Sequence, residues 1–376
     1  MNSRRWGGGT GIVNLELLKR FAWVPDLNID LVTSALGNQP EEVQFADRIR
    51  IYKVPVSNQN IHHSSNRELI RYTARGYRLS RKLVRRNDYD FSFAFAGVPA
   101  GGISFALEKV TGLPYIVSLQ GPDVPGFEAR YNYLYPWLRP VLRQIWGGAE
   151  CVTAISKDHQ SLAHQTMPGL DIPIFYNGVD NVYFHTNNKP PERDKVIILC
   201  VARLIGRKGQ HNLIEAFSKV MEMGVRKEIK LMLVGTGDCE DDLHQMANTL
   251  DLSDQVLFTG FVPREEMPGI YQQADIFVLP SQNEGMSIAL LEAMASGLPV
   301  LVTNTGGTEE LVENNVNGFI LEWEDVERLA ELLLMLVRDD ALRQRLGSAS
   351  RTKAERYSWE EVSKSYLDLF KLINSP

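Results

Sequence analysis

The sequence predicts an α/β protein built from two Rossmann-like, doubly wound domains that face a central cleft. In the C-terminal half, short continuous apolar runs alternate with amphipathic stretches that have the 3.6-residue period of helices. Continuous apolar runs are typical of parallel strands covered on both faces, and strict alternation of strand and helix predicts such a sheet. The N-terminal half repeats the pattern less regularly, and 376 residues suit about two domains.

The alternation predicts the position of each element. In the C-terminal half we expect strands at 196–201, 230–234, 255–259, 276–279 and 299–303, and helices at 210–223, 240–250, 264–273 and 287–296. In the N-terminal half we expect strands at 29–33, 49–54, 91–95, 115–119 and 151–154, and helices at 11–21, 67–86, 102–111 and 133–146. A polar stretch with two prolines at 185–194 predicts a linker, so we assign residues 1–184 and 185–355 to the two domains and 356–376 to a last helix.

The composition argues against several classes of protein. A net charge of −6 disfavours a nucleic-acid binder. The three cysteines lack any Cys-x-x-Cys spacing, so we expect no metal site and a reducing compartment. Cys151 and Cys200 lie in apolar strand-like runs, and we expect both to be buried thiols. No apolar run approaches the roughly 18 residues that cross a bilayer, and the N-terminus lacks the apolar segment of a signal peptide. We expect a cytoplasmic protein, attached at most to the inner face of the cytoplasmic membrane.

The strongest candidate site directly follows the apolar strand predicted at 276–279. Gly285 permits a tight turn and lets the backbone approach a ligand closely. The next three residues would present their N–H groups at a helix N-terminus, where anions bind: Met286, Ser287 and Ile288.

Two carboxylates, Glu284 and Glu292, flank this turn and helix. In a helix they would stand roughly 12 Å apart along the axis, whereas the two carboxylates of a glycosidase need about 5 to 9.5 Å. The spacing is therefore better suited to the two hydroxyl-rich ends of one extended ligand, a hexose at Glu284 and a ribose at Glu292. The alternative interpretation is that Glu284 is a solvated loop residue and Glu292 lies on the surface of the helix, with no ligand at either.

A second candidate group, Arg203 and Lys208, follows the strand predicted at 196–201. A cation at a strand end, a second cation five residues later and then Gly209 suit a diphosphate, because Arg offers a planar fork and Lys a point charge. These cations would also stabilise the charge of a departing nucleoside diphosphate. Taken alone, the pattern is equally consistent with two surface cations, and it gains weight from the glutamates.

A glycine-rich stretch, Trp6 to Gly11, precedes the first predicted helix. Gly8 and Gly9 could bring backbone N–H groups to a phosphate, although a flexible turn is the simpler interpretation. Such a loop should follow a buried strand, and only six largely polar residues stand before its first glycine, Gly7. We therefore expect the N-terminal domain to lack its first strand.

Two further features of the N-terminal half suggest ligand binding. Gln120 and Asp123 lie at the end of a predicted strand and could donate to or accept from sugar hydroxyls, although turn formation explains the local Pro and Gly residues equally well. A helix carries one cationic stripe that could bind an anionic membrane or acidic acceptor, or could simply be solvated. The stripe consists of Arg67, Arg71, Arg75, Arg78, Lys82 and Arg85.

With these residues in hand, the chain resembles the family-four retaining glycosyltransferases of the GT-B fold over nearly its whole length. Glu284, seven intervening residues and Glu292, followed by Ala-Met-Ala-Ser-Gly-Leu-Pro, are similar to the family's signature. Arg203 and Lys208 match its diphosphate-binding cations, and residues 176–180 resemble its interdomain segment. The helix after Trp359 resembles the family's last helix, which crosses back to the N-terminal domain.

The resemblance implies roles for individual residues. Glu284 would contact the transferred sugar, Glu292 the ribose, and Val262 the base. Gly8 and Gly9 would approach the diphosphate, and the backbone from Gly285 to Ile288 would line the sugar and phosphate. The resemblance further implies a nucleoside-diphosphate sugar as co-substrate, no metal or other cofactor, a glycan or lipid-linked acceptor, and retention of the anomeric configuration. Gln120 departs from the histidine found in many members and cannot act as an acid or base.

Two alternatives remain open at this point. A non-catalytic relative could bind a nucleotide sugar without transferring it, and the missing first strand favours that interpretation, while the intact Arg, Lys and two Glu residues oppose it. A GT-B epimerase would convert the nucleotide sugar itself and should not need this set of four residues.

Overall fold

The computed structural model describes residues 8–35, 37–57, 65–128, 131–186 and 195–374. The described residues fold into two compact units, which we call the C-terminal unit, residues 177–359, and the N-terminal unit, residues 8–176 together with 360–374. The sequence pattern places the boundary after residue 184, and most of the linker stretch on which that prediction rests, residues 187–194, lies outside the described residues.

The N-terminal unit contains six strands and five α-helices among its described residues before position 176. The strands are β1 Ile29–Ala35, β2 Glu41–Ala46, β3 Ile49–Pro55, β4 Ser92–Phe95, β5 Tyr115–Ser118 and β6 Cys151–Thr153. The helices are α1 Gly8–Phe21, α2 Asn66–Val84, α3 Gly102–Thr111, α4 Tyr135–Gly147 and α5 Lys157–Thr166.

These six strands form two separate three-stranded sheets. One has the order β1-β3-β2, with β2 antiparallel to β3, and the other has the parallel order β4-β5-β6. Among the described strands, β1 and β4 are edge strands of their sheets. Most of β1 and β4 is accordingly only half-buried, whereas β5 is buried along its length.

The start of α1 differs from the glycine loop that the sequence suggests. Gly8 and Gly9 form the first turn of the helix, which the sequence pattern predicts to begin at Gly11. A Cβ at Gly9 would meet no atom within 4 Å, so no close contact requires glycine there in this structure. Trp6 and Gly7 lie outside the described residues.

The described residues of the C-terminal unit contain six strands, all parallel, in one sheet. They are β7 Lys195–Val201, β8 Glu228–Val234, β9 Val256–Gly260, β10 Ile276–Leu279, β11 Val300–Thr303 and β12 Gly318–Leu321. The helices that follow are α6 Gln210–Glu222, α7 Glu240–Thr249, α8 Met267–Gln273, α9 Ile288–Ala295, α10 Thr308–Leu311, α11 Val326–Arg338, α12 Asp340–Ala354 and α13 Trp359–Ile373. The α/β class predicted from the alternation is confirmed.

The order of this sheet, β12-β11-β10-β7-β8-β9, fixes where a ligand site should be sought. The chain builds outward from β7 in one direction through β8 and β9, and in the other from β10 through β11 to β12. The loops that leave the carboxyl ends of β7 and β10 therefore diverge, which creates the crevice where ligands of open α/β sheets bind. Buried residues of β7, β8, β10 and β11 form the core beneath, together with the apolar faces of α6 and α11.

The last helix, α13, joins the N-terminal unit from Glu360 onward. Tyr366 and Phe370 pack against aromatic rings of that unit, with ring centroids 4.8 Å apart for Tyr366 and Phe175 and 5.0 Å apart for Phe370 and Phe91. The Tyr366 hydroxyl lies 3.0 Å from the Ser118 hydroxyl at the end of β5. Burial of these rings explains why this amphipathic helix folds onto the first half of the chain.

Candidate functional site

The loops that follow β7 and β10 are tied together at the point where the sheet order reverses. Gly209 has a φ of 70°, and a Cβ there would lie 2.0 Å from the carbonyl oxygen of Pro280, so only glycine permits this approach. The amide of Gln282 donates to the carbonyl of Arg207 at 2.8 Å, and the Arg207 guanidinium donates to Asn283 at 3.0 Å. These contacts hold the loop after β7, which carries Arg203 and Lys208, against the loop after β10, which carries Glu284.

Lys208 and Glu284 form an ion pair across these two loops, between Nζ and Oε1. The two side chains are 12% and 16% exposed, so solvent weakens this pair less than a surface pair. The Ser281 hydroxyl donates to the same Oε1 at 2.8 Å. Among the described residues, no group donates to Glu284 Oε2, which leaves that oxygen available to a hydroxyl of a ligand.

Arg203 lies at the start of the same loop, five residues before Lys208. Its carbonyl accepts hydrogen bonds from the Ile205 amide at 2.9 Å and from the side chain of Gln210 at 2.9 Å. The glycine loop after β8 packs against this segment, since a Cβ at Gly235 would lie 2.1 Å from the carbonyl of Ala202. The backbone around both predicted diphosphate-binding cations is thus fixed by neighbouring strand-end loops.

The buried thiol of Cys200 lies beneath this ion pair at the end of β7. Burial raises its pKa to about 12, and the nearby Lys208 opposes the shift. The pKa of Cys151 in the N-terminal unit is raised to about 11, again mainly by burial. Both thiols are therefore protonated near neutral pH, and a role as nucleophile is disfavoured.

A small pocket lies beside Glu284 within the C-terminal unit. It has about 230 Å³ of space, including the part open to solvent, and Ser287 and Leu290 line one side of it. The opposite side is the loop that follows β11, residues 305–308. This loop was not among the predicted site loops, although Thr305-Gly306-Gly307 follows a buried strand in the way that the other site loops do.

The turn after Glu284 leads into α9 as predicted, with a small shift at its start. Ser287 is the N-cap, and its hydroxyl accepts from the Leu290 amide at 3.3 Å, so the helix itself begins at Ile288. Only the residues from Ile288 to Glu292 are helical. The distance of about 12 Å between Glu284 and Glu292, which assumed one continuous helix, therefore does not apply. Gly285 and Met286 precede the helix as a turn.

Glu292 lies on α9 with its carboxylate buried and both of its oxygens hydrogen-bonded. Its side chain is 5% exposed. Oε1 accepts from Nη1 of Arg264 at 2.5 Å, and Oε2 accepts from the hydroxyl of Tyr271 at 3.0 Å. Glu292 is thus neither solvated nor on the helix surface, and that alternative interpretation of this position is wrong.

Arg264 and Tyr271 are site residues that the sequence analysis missed. Arg264 lies two positions after Val262 in the segment that follows β9, and Tyr271 lies on α8. Val262 itself is half-buried. The position of Arg264 just beyond the end of β9 is a sequence feature that could have identified it. Only the folded sheet shows that this segment contacts Glu292 on α9.

The loop with Gln120 and Asp123 is held by buried hydrogen bonds in the N-terminal unit. The Asp123 carboxylate accepts from the amides of Gly97 at 2.7 Å, Gly121 at 2.8 Å and Gln120 at 3.2 Å. The Gln120 side chain donates to the Ser118 hydroxyl at 2.9 Å. These bonds give Asp123 a role in shaping the loop, and the contact of either residue with an acceptor stays a prediction.

His159 lies beneath the same loop and is buried. Its Nε2 is 3.3 Å from the carbonyl oxygen of Gly121, while Nδ1 is buried without a hydrogen-bond partner among the described residues. Burial lowers the pKa of His159 below its usual 6.5, with the charge of Asp123 opposing the shift. A neutral imidazole therefore supports the loop near neutral pH.

The cationic stripe lies on α2 as predicted, and the helix ends at Val84, just before Arg85. Arg71 donates to the carbonyl of Val56 at 3.4 Å, and Arg75 donates to that of Pro55. Within the described part of the chain, no acidic side chain pairs with the exposed cations toward the end of the stripe. Three of these cations line one groove together with side chains that lie outside the stripe. Its lining residues are Tyr77, Arg78, Arg81, Lys82, Arg85 and Arg86.

The described residues contain neither a metal cluster nor a membrane-spanning helix. Across the ranges that the structure describes, no cluster of His, Cys, Asp and Glu has the geometry of a metal site. In the same ranges, no helix combines the length and the apolar character that crossing a bilayer requires.

Comparisons with known proteins show which family the C-terminal half of the chain resembles. Residues 184–353 match the family described as glycosyl transferases group 1. An uncharacterized glycosyltransferase of Methanocaldococcus jannaschii is 31% identical over 213 residues, which are 54% of this chain and 54% of that protein; the aligned part thus spans about half of that relative. A GDP-mannose-dependent alpha-(1-6)-phosphatidylinositol monomannoside mannosyltransferase of Mycobacterium tuberculosis is 29% identical over 65% of this chain and 68% of its own length.

A likeness of fold extends over almost the entire chain. The structure of sucrose-phosphate synthase from Thermosynechococcus elongatus superimposes with a TM-score of 0.82 at 19% identity, covering 98% of this chain and 95% of the other. The predicted fold is confirmed by this likeness.

Proposed function

We propose, on the premise that this chain is a group 1 glycosyltransferase, that it moves a hexose from a nucleoside-diphosphate sugar to a glycan or lipid-linked acceptor. The observation that carries the proposal is the Lys208–Glu284 pair, which joins the strand-end loops of β7 and β10 at the point where the sheet order reverses. Ligands of open α/β sheets bind there, and a cation beside a sugar-binding carboxylate suits a sugar diphosphate.

The proposal gives each predicted donor residue a role. Arg203 and Lys208 bind the diphosphate and stabilise its charge as it departs. Glu284 accepts a hydrogen bond from the transferred sugar through Oε2, which is open in the described chain, and the backbone of the turn from Gly285 to Ile288 lines the sugar and phosphate. Glu292 binds the ribose, Val262 contacts the base, and Gly8 and Gly9 bind the diphosphate through the N–H groups of the first turn of α1.

The reaction proposed is transfer with retention and without a metal. The bond between the anomeric carbon and the diphosphate oxygen breaks, and the acceptor oxygen bonds to the same face of that carbon. The acceptor's proton leaves with the diphosphate, because Gln120 cannot accept it. Side-chain cations and backbone amides supply the positive charge that a metal ion would otherwise provide.

The direct test is a donor screen followed by a product assay. A ligand that binds only the folded state raises its melting temperature, so UDP-, GDP- and ADP-sugars are compared by thermal shift. The preferred donor is then incubated with and without a lipid-linked saccharide extract. Acceptor-dependent release of nucleoside diphosphate is expected. Conversion of the free donor without acceptor would support an epimerase, and binding without any turnover would support a non-catalytic relative.

We also propose that α2 docks the protein on an anionic membrane at the inner face of the cytoplasmic membrane, because Arg78, Lys82 and Arg85 are exposed and have no acidic partner in the described chain. Each such cation near an anionic surface contributes about 1 kcal/mol. Co-sedimentation with phosphatidylglycerol vesicles should fall at least tenfold in the Arg78→Glu, Lys82→Glu double variant and stay unchanged in Lys364→Glu, which alters an exposed lysine of α13. Equal binding to neutral vesicles would contradict the proposal.

A further inference from the structure

Three side chains from three elements of the C-terminal unit meet at the Glu292 carboxylate. Arg264 comes from the segment after β9, Tyr271 from α8, and Glu292 from α9. One oxygen of the carboxylate is bonded to the guanidinium at 2.5 Å and the other to the phenol at 3.0 Å. The plane of the carboxylate is therefore fixed from two sides, which one donor alone would not achieve.

The partners of Glu292 are themselves held in place by an aromatic side chain. The Arg264 guanidinium lies over the ring of Phe184, 5.3 Å from its centroid. The ring of Tyr271 packs edge-on against the same phenylalanine, with centroids 5.6 Å apart. Tyr271 is fully buried, and burial together with the Glu292 charge raises the pKa of its hydroxyl well above 10. The hydroxyl therefore keeps its proton near neutral pH, and it lies 3.0 Å from Glu292 Oε2 and 3.2 Å from the Ala289 carbonyl oxygen.

Burying an ionised carboxylate lowers the stability of the fold unless the carboxylate is paired and hydrogen-bonded. For stability alone, a glutamate exposed to solvent at this position would therefore suffice. An ionised carboxylate accepts up to about four hydrogen bonds. The two neighbouring hydroxyls of a ribose need two of them, at the correct angle. A carboxylate whose plane is fixed in advance loses little conformational entropy when it binds such a diol.

We propose that Arg264 and Tyr271 are positioning residues that orient Glu292 toward the ribose hydroxyls and so set the preference for ribonucleotide over deoxyribonucleotide donors. This inference rests on the proposed function, because it takes Glu292 as the ribose-binding group. Arg264 and Tyr271 need not touch the donor; they act through the carboxylate. The proximity of Arg264 to Val262 in sequence places the proposed base contact and this positioning group in one segment.

The test is calorimetric titration of the full chain with UDP, GDP and their 2′,3′-dideoxy counterparts. A hydrogen bond to a charged group is worth about 1.5–3 kcal/mol. The wild type should therefore bind whichever of UDP and GDP it prefers about tenfold or more tightly than the 2′,3′-dideoxy form of the same nucleotide. Tyr271→Phe and Arg264→Gln should reduce this preference at least fivefold, with little change in affinity for the dideoxy compound. Arg264→Lys should restore part of it.

A matched control separates positioning from structural support. Tyr357→Phe removes another hydroxyl of the same unit, which donates to the carbonyl of Glu310 at 3.0 Å, and should leave the preference unchanged. Melting curves show that each variant folds. If both nucleotides lose affinity by the same factor in Tyr271→Phe and Arg264→Gln, the two residues are structural and the inference fails while the proposed function stands. If the wild type binds no nucleoside diphosphate at millimolar concentration, both fail.

Discussion

The two units of this chain share one pattern of strands and helices but differ in what their sheets achieve. In the C-terminal unit six parallel strands form one sheet, and β10 and β11 are buried along their whole length. In the N-terminal unit the strands form two sheets of three, and β1 and β4 are half-exposed at their open edges. The continuous sheet brings charged side chains from different strand ends, Lys208 and Glu284, into contact. The N-terminal loop with Asp123 is instead organised by backbone amides.

The largest expected effect concerns the charged site of the continuous sheet. Glu284→Ala should reduce transfer by about 10²–10³-fold, the usual loss for one electrostatic contact made in a transition state, while nucleoside diphosphate still binds. Initial rates with the preferred donor, compared with its diphosphate affinity, measure this. Glu215→Ala on α6 is the control, and full activity of Glu284→Ala would refute the assignment.

The second prediction compares the two kinds of sheet through leucines of β8 and β1. Leu231→Ala removes a fully buried side chain and should cost about 2–5 kcal/mol of unfolding free energy. Leu31→Ala affects a half-exposed strand and should cost roughly half as much, because less apolar area is lost.

Native-state hydrogen exchange reads the stability of each unit separately. Equal losses from the two leucine variants would show that the open edges of β1 and β4 do not weaken the N-terminal unit.

The third prediction concerns the cation that faces Glu284. Lys208→Ala should weaken binding of nucleoside diphosphate by about 1.5–3 kcal/mol, which is the value of one charged hydrogen bond. Calorimetry measures this against Lys219→Ala, a lysine of the same unit that pairs with Glu327 at 2.7 Å on the surface. An affinity equal to that of the control would count against diphosphate binding by Lys208.

The smallest expected effect is a dependence of the N-terminal unit on pH. Because burial holds the pKa of His159 below 6.5 in the folded state, the unfolded chain takes up this proton first as the pH falls. The contribution of His159 to stability is therefore complete above about pH 6.5 and decreases below it. Unfolding midpoints between pH 7.5 and 5 should fall less steeply in His159→Gln than in the wild type; identical slopes would contradict this.

The sequence predicted five of the six described strands of the continuous sheet, because each of those five is an apolar run bounded by turn residues. The edge strand β12 was not predicted, since it has only four residues and is partly exposed. The strand β2 was not predicted, since Glu41 and Glu42 are exposed on an edge strand and give no apolar signal. Local spacing identified Glu284, Glu292 and Lys208. It could not identify Arg264 and Tyr271 as partners of Glu292, because that contact depends on the order of strands in the sheet and on how α8 and α9 pack.

The central claim is that the strand-end groups of the C-terminal unit bind a nucleoside diphosphate. The most direct measurement is a crystal structure of the protein soaked with the preferred nucleoside diphosphate. Phosphate oxygens are expected within hydrogen-bond distance of Arg203 and Lys208, and the ribose hydroxyls are expected on Glu292. A diphosphate bound away from Lys208, with the ribose remote from Glu292, would contradict it.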